Sequence, residues 1–296
     1  MSFGGIEAGG TKWVCAIGTG PEDLREVVTF PTTTPDETIA RAAEFFAGGA
    51  SVAAVGIGSF GPIDLRRDSP TWGRITTTPK PGWASTDIGS ALRAVLDVPV
   101  AVDTDVNAAA LGEHRWGAAV GLDTFCYITV GTGIGGGGMA NGRLMHGLQH
   151  PEFGHMRIPH DRERDPFDGV CPYHGDCLEG LASGEAIRAR WGAPPEDNGD
   201  ERVWSLEADY IALGLVNAIC ILSAQRIVLG GGVMKQPQLM SLIRARVSAL
   251  LAGYTGAREL GGDLADYIVK PALGDRAGRH RVARARARLG LSPVVT

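Results

Sequence analysis

Gly4-Gly-Ile-Glu-Ala-Gly-Gly-Thr-Lys12 and Val130-Gly-Thr-Gly-Ile-Gly-Gly-Gly-Gly138 are the two stretches on which the fold turns. The first lies between apolar, strand-prone residues at 3–6 and 13–17, the second between those at 125–130 and 135–140. Both read as hairpins. Glycine lets a backbone approach a phosphate closely and turn its N–H groups toward it. Neither loop enters a helix through Gly-Lys-Ser/Thr, and neither is a dinucleotide fingerprint set between a strand and a helix. One such hairpin is as readily a bland turn as a ligand loop. Two of them, each opening one half of the chain with Lys12 and Thr132 as polar tips, point to paired phosphate loops.

Around these loops strand and helix signals alternate. Thr34-Pro-Asp-Glu37 reads as a capping box with proline at the first helical position, opening a helix through Ile39, Ala43 and Phe46. Strands are expected at 52–58, 98–102 and 227–229, and helices at 88–96, 106–116, 206–223 and 239–251. The 206–223 segment is apolar on nearly every side and should be buried. Gly230-Gly231-Gly232 after the 227–229 strand is a third point of close backbone approach, suited to the face of an adenosine or to a packing turn. Strand–glycine turn–strand units that each lead into helices and further strands imply an α/β fold of two related lobes with a cleft between them. The boundary is expected near 117–121, giving an N-terminal lobe over 1–118, joined by a C-terminal helix at 277–296, and a C-terminal lobe over 119–276.

The densest chemistry lies in Glu152-Phe-Gly-His155 and Cys171-Pro-Tyr-His174-Gly-Asp-Cys177-Leu-Glu179. His155, Cys171, His174 and Cys177 make a full tetrahedral set for zinc within a loop over 155–177. The bland alternative is two core cysteines and two surface histidines. A fourth protein ligand closes the site, which favours a structural metal over a catalytic one. Such a site would also fix Glu152 and Glu179, carboxylates that are otherwise far apart.

Length and charge narrow the rest. A chain of 296 residues can bury a large core, and a net charge of −5 argues against a general nucleic-acid surface. The basic run at 276–288 has helical spacing and reads as a solvated helix face. No charged segment followed by an apolar core marks a signal peptide, and no run of about eighteen apolar residues marks a membrane span. Of five cysteines, Cys15, Cys126 and Cys220 sit in apolar sequence and are expected to be buried free thiols in a reducing cytoplasm.

Taken together these motifs resemble the ROK family of sugar kinases and repressors, within the actin-like ATPase (ribonuclease H-like) fold. The resemblance spans nearly the whole chain: Glu7 to Lys12, Gly58-Ser-Phe-Gly-Pro62, Asp103-Thr-Asp-Val-Asn107, the second glycine loop, Glu152 to His155, the cysteine knuckle and Gly230 to Gly232. Ser59-Phe-Gly-Pro-Ile-Asp64, Thr78-Pro-Lys-Pro-Gly-Trp83 and Cys171-Pro-Tyr-His-Gly-Asp-Cys177 are similar to the fructokinase branch.

The resemblance implies that Asp105 is the base that accepts a sugar hydroxyl proton. It implies that Asn107, Glu152, His155, Glu179, Gly61 and Pro62 form the sugar pocket. Gly9, Gly10, Thr11, Lys12, Gly131, Thr132 and Gly133 would face the ATP phosphates, and Gly231 and Gly232 the nucleoside. Glu7 stands where most of the family has an aspartate near magnesium, and His174 where many relatives have a third cysteine. Other readings stay open: Asp105 as a helix N-cap, Asn107, Glu152, Glu179 and Lys12 as solvated groups, Trp83 as a sugar platform or an apolar anchor.

The activity implied is ATP-dependent phosphorylation of a hexose, foremost fructose to fructose 6-phosphate, with mannose, glucose or an N-acetylhexosamine as rivals. ATP, Mg2+ and structural Zn2+ are the implied cofactors, and a cytoplasmic homodimer without nucleic-acid or membrane partners the implied setting. A sugar-sensing repressor is disfavoured, because those relatives carry an added helix-turn-helix before the first strand, which here starts at Phe3. A sugar-binding module without turnover is the third class.

Overall fold

Hydrophobic strands buried on both faces build the centre of each half of the chain. The structure, a computed structural model, describes residues 1–274. It divides into two units: Met1–Val120 with Met145–His150 and the chain from Ala272, and Gly121–Leu144 with Pro151–Pro271. The helix expected at 277–296 and the basic run at 276–288 lie outside the described residues.

In the first unit, β1 (Phe3–Ala8) and β2 (Lys12–Gly20) form the expected antiparallel hairpin, with Ala8 opposite Trp13. β3 (Asp23–Pro31) continues it as an edge strand. β4 (Val55–Ser59) runs parallel to β1, and β5 (Val100–Thr104) parallel to β4, giving the order β3-β2-β1-β4-β5. β4 is buried along its whole length, as strands covered on both faces are. Ile6, Trp13, Ile17, Ile57, Ile63, Trp83 and Leu92 form the core. The register is what matters for function. Ala8 pairs with Ser59 and Ser59 with Thr104, so three parallel strands end in one row. The first glycine loop, the Gly61-Pro62 turn and helix α3 (Asp105–Trp116) all leave the sheet from that row.

Helix α1 (Pro35–Gly48) starts with proline as expected, but the capping box does not form. Thr34 makes no side-chain cap bond. The Glu37 carboxylate instead accepts from the Thr33 hydroxyl (2.7 Å) and pairs with Arg41 one turn on (2.9 Å). Helix α2 (Ile88–Val95) is capped by the Asp87 carboxylate, which accepts from Ser90 N–H at 2.8 Å.

The second unit repeats the plan. β6 (Phe125–Val130) and β7 (Ile134–Ala140) form the second hairpin, extended by β8 (Arg143–Leu144). β9 (Ile227–Gly230) runs parallel to β6 and β10 (Ile268–Val269) parallel to β9. The order β10-β9-β6-β7-β8 is that of the first sheet, element for element in chain order. Thr129 pairs with Gly230, so the second glycine loop and Gly231-Gly232 also leave from one edge. Helices α4 (Leu178–Ala182), α5 (Gly184–Trp191), α6 (Glu201–Leu222) and α7 (Leu239–Leu251) complete the unit. Among the described residues α6 alone is long and apolar enough to cross a membrane, yet over half of that stretch is buried, as in a core helix. Its last turn reaches solvent, which corrects the expectation for Cys220: that thiol is exposed. Cys15 and Cys126 are buried, and burial pushes both thiols up to about 12.

Glu113, on the core side of α3, is fully buried. Its carboxylate accepts from the N–H groups of Ala118 (2.6 Å), Leu273 (3.0 Å) and Ala272 (3.1 Å), and so seats the returning chain on the first unit. Glu113→Ala strands three backbone donors and is expected to lower stability by about 2–5 kcal/mol in urea unfolding, with Glu113→Gln, which keeps one acceptor, losing less.

Candidate active site

The β5–α3 turn is built around a buried carboxylate. Asp103, the penultimate residue of β5, is fully buried, and burying a charge demands hydrogen bonds in return. Its Oδ1 accepts from Thr104 N–H (2.9 Å) and from Asn107 Nδ2 (2.9 Å). Its two oxygens lie 3.1 and 3.0 Å from His146 Nε2. Thr104 is the N-cap of α3: its hydroxyl accepts from Asn107 N–H at 3.1 Å. Asp105 is therefore the first helical residue rather than the cap, with Oδ1 accepting from Val106 N–H at 2.8 Å. Its charge sits at the positive end of the helix dipole, which stabilises the ionised form. Asn107 is buried, not solvated, and its amide also reaches the Met145 carbonyl at 3.5 Å.

Two further elements leave the same sheet edge. In the first glycine loop Gly9 N–H donates to the Lys12 carbonyl (3.1 Å), while Thr32 donates its hydroxyl to the Gly9 carbonyl (2.7 Å) and its N–H to that of Thr11 (2.9 Å). A side chain at Gly10 would meet no atom within 4 Å, so the loop is open there, and Thr11 and Lys12 are exposed. Glu7 lies in β1 across from Val14 and beside Gly58. The Gly61-Pro62 peptide is cis, and the Pro62 carbonyl accepts from Thr76 N–H (2.8 Å) and hydroxyl (3.1 Å). The next N–H, that of Ile63, donates to His150 Nε2 at 3.2 Å. Trp83 is fully buried against Trp13 and Phe60, with its indole N–H on the Thr33 carbonyl at 2.9 Å. It is an apolar anchor, and the sugar-platform reading is set aside.

In the second unit the glycine loop is clamped from below. Gly131 N–H donates to the Gly133 carbonyl (2.8 Å), and the Gly131 carbonyl accepts from Gly184 N–H at the start of α5 (2.7 Å). Glu179, in α4, accepts from Ile134 N–H at 2.8 Å, so it is not simply a solvated acid. A side chain at Gly133 would meet the Glu179 carboxylate, which lies against the loop there. Thr132 is exposed at the tip. Gly231, at φ +104°, lies against the Val130 carbonyl, which places Gly231-Gly232 at the root of the same loop. Glu152 caps the single turn Phe153–His155, its carbonyl accepting from His155 N–H at 3.0 Å.

The four soft ligands come together. Their donor atoms all lie within 4.8 Å of one another. His155 Nδ1 is 3.7 Å from Cys171 Sγ and 3.6 Å from Cys177 Sγ, and His174 Nδ1 is 3.6 Å from Cys171 Sγ. Tetrahedral zinc with ordinary bond lengths would separate sulfur from nitrogen by about 3.6 Å. The donor set therefore fits zinc, and His155 turns Nδ1 to the sulfurs, leaving Nε2 on the other side of the ring. Asp176, inside the knuckle, pairs with Arg157 (2.8 Å), Arg162 (3.1 Å) and His160 (3.2 Å). The His160 hydrogen bond is the chief cause that holds its carboxyl below the usual range.

Sequence reasoning passed over His146 and His150, and read Asp103 as a weaker candidate base or a structural residue at the strand end. A single histidine in an irregular loop carries no periodic signal, and its partners are distant in sequence.

A model of the ROK family matches residues 3–280. A fructokinase of Zymomonas mobilis is 45% identical over 285 residues, 93% of each chain. Among solved structures, the ROK hexokinase of Thermus thermophilus superposes with a TM-score of 0.78 at 28% identity, over 98% of this chain and 99% of that one. A ROK glucokinase of Streptomyces griseus, in complex with glucose and AMPPNP, gives 0.76 at 26% identity, over 98% and 100%. The two sheets with their helices thus match the actin-like fold of sugar kinases, and the chain belongs to the ROK family.

Proposed function

We propose that the protein is an ATP-dependent hexose kinase that converts D-fructose to fructose 6-phosphate. The observation that carries the reading is Asp105: a carboxylate at the head of α3, on the sheet edge from which the first glycine loop also departs. Fructokinases among the relatives, such as that of Zymomonas mobilis, support fructose as the sugar.

Phosphoryl transfer asks for positioning and charge neutralisation rather than covalent catalysis. Asp105 accepts a hydrogen bond from the C6 hydroxyl and takes its proton as the new P–O bond forms and the bond to the ADP oxygen breaks. A carboxylate within reach suffices, and no large pKa shift is needed. Asn107, Glu152, Glu179, Gly61, Pro62 and the Nε2 edge of His155 hold the other hydroxyls. Gly9, Gly10, Thr11, Gly131, Thr132 and Gly133 offer backbone N–H groups to the phosphates, Lys12 a point charge, and Gly231-Gly232 a flat backbone surface to the nucleoside. Magnesium arriving with ATP would offset the phosphate charge, and Glu7 is the candidate group to hold it. Zinc on His155, Cys171, His174 and Cys177 is structural. Bound there, it would tie the turn bearing Glu152 and His155 to the segment bearing Glu179. Cys15, Cys126 and Cys220, the thiols outside the zinc set, form no disulfide and suit a reducing compartment, so the cytoplasm completes the proposal, together with the homodimer that the family resemblance implies.

An ADP-release assay with ATP–magnesium and a panel of fructose, glucose, mannose and N-acetylhexosamines tests the reading. Fructose is expected to give the highest kcat/KM, and Asp105→Asn to lower kcat by about 10²–10⁴-fold. Highest turnover on another hexose would change the substrate, and an active Asp105→Asn would remove the base. Elemental analysis is expected to find about one zinc per chain. Cys171→Ser should lose that zinc and melt at lower temperature, since structural zinc contributes folding free energy.

A further inference from the structure

Met145–His150 belongs with the first unit, although the chain on either side, β8 and the segment from Pro151, belongs with the second. Two histidines seat it, with opposite hydrogen-bond polarity. An ionised carboxylate only accepts, so the His146 nitrogen facing Asp103 carries a proton and donates. A backbone N–H only donates, so the His150 nitrogen facing Ile63 accepts and its proton sits on Nδ1. Each histidine thereby touches a different part of the candidate sugar site. His150 fixes the residue after Gly61-Pro62. His146 and the Asn107 amide are 3.4 Å apart and converge on the same Asp103 oxygen.

We propose that Met145–His150 is a positioning segment for the hexose, in which His146, through Asp103, sets the orientation of Asn107. The inference rests on the kinase reading above. Asp103 is fully buried, whereas the His146 side chain is 29% exposed. The imidazole thus closes the side of the carboxylate that faces the segment. Without that donor the carboxylate, which is shared with Asn107 and Thr104, loses one of the partners that set its orientation. The Asn107 amide then loses its fixed partner. The effect falls on the sugar hydroxyls that Asn107 meets, because Asn107 is the candidate sugar residue that Asp103 holds.

The test compares His146→Gln with His146→Asn in the full chain. The glutamine amide reaches where Nε2 stands, while the asparagine amide stops where Nδ1 stands, so the pair differs in reach and little else. With fructose and ATP varied in turn, His146→Asn is expected to raise the fructose KM about tenfold, the equivalent of one hydrogen bond to a charged group. The ATP KM should stay within about twofold, and His146→Gln should recover most of the loss. His150→Leu is expected to raise the fructose KM in the same selective way. The proposal is overturned if His146→Asn leaves the fructose KM unchanged. It is also overturned if both KM values rise together with a falling melting temperature and no recovery in His146→Gln. A wild-type chain that phosphorylates no hexose would instead remove the kinase reading on which the proposal stands.

Discussion

Ala8, Ser59 and Thr104 end three neighbouring parallel strands in one row, and what the proposed chemistry takes from the first unit leaves the sheet there. The row exists because β1 is shared. It is the first strand of a hairpin on one side and the partner of a parallel strand on the other. A parallel strand buried on both faces contributes stability along its whole length, so the loops beyond its end are free to carry function. Open α/β sheets bind ligands beyond the carboxyl ends of their strands for this reason. The second sheet repeats the device with β6, the Gly131–Gly133 turn and Gly231.

What could be read in the sequence follows from that plan. The two hairpins were legible because a glycine cluster between apolar runs leaves few alternatives. The edge strand β3 was not: Arg25, Val27, Thr29 and Pro31 face solvent, and the charged and proline side chains that protect an edge also erase the hydrophobic signal. Thr34 to Glu37 had the letters of a capping box, but the carboxylate was claimed by Thr33 and Arg41, a competition that spacing does not reveal. Cys220 lies in an apolar helix and is exposed because the last turn of α6 outruns the core.

At the site the same division holds. His155, Cys171, His174 and Cys177 were found by residue type alone, since soft ligands at short spacing have few other uses, and the fold gathers them. Asp105 and Asn107 were named from the resemblance, but the turn that holds them was not visible. Asp103 is joined to His146 by a contact spanning 43 residues, and a pairing of that kind has no period to detect. Glu179 shows the converse. Its place after Cys177 drew attention as a sugar contact, and its hydrogen bond to Ile134 makes it part of the phosphate-loop scaffold as well.

The central claim is that Asp105 receives the proton of the hydroxyl being phosphorylated. A crystal structure of the protein with fructose and a non-hydrolysable ATP analogue tests it most directly. The account predicts the C6 hydroxyl within about 2.6–3.2 Å of an Asp105 oxygen, the reach that general-base catalysis requires. A bound fructose whose C6 hydroxyl meets another group, with Asp105 turned away from it, would contradict the account.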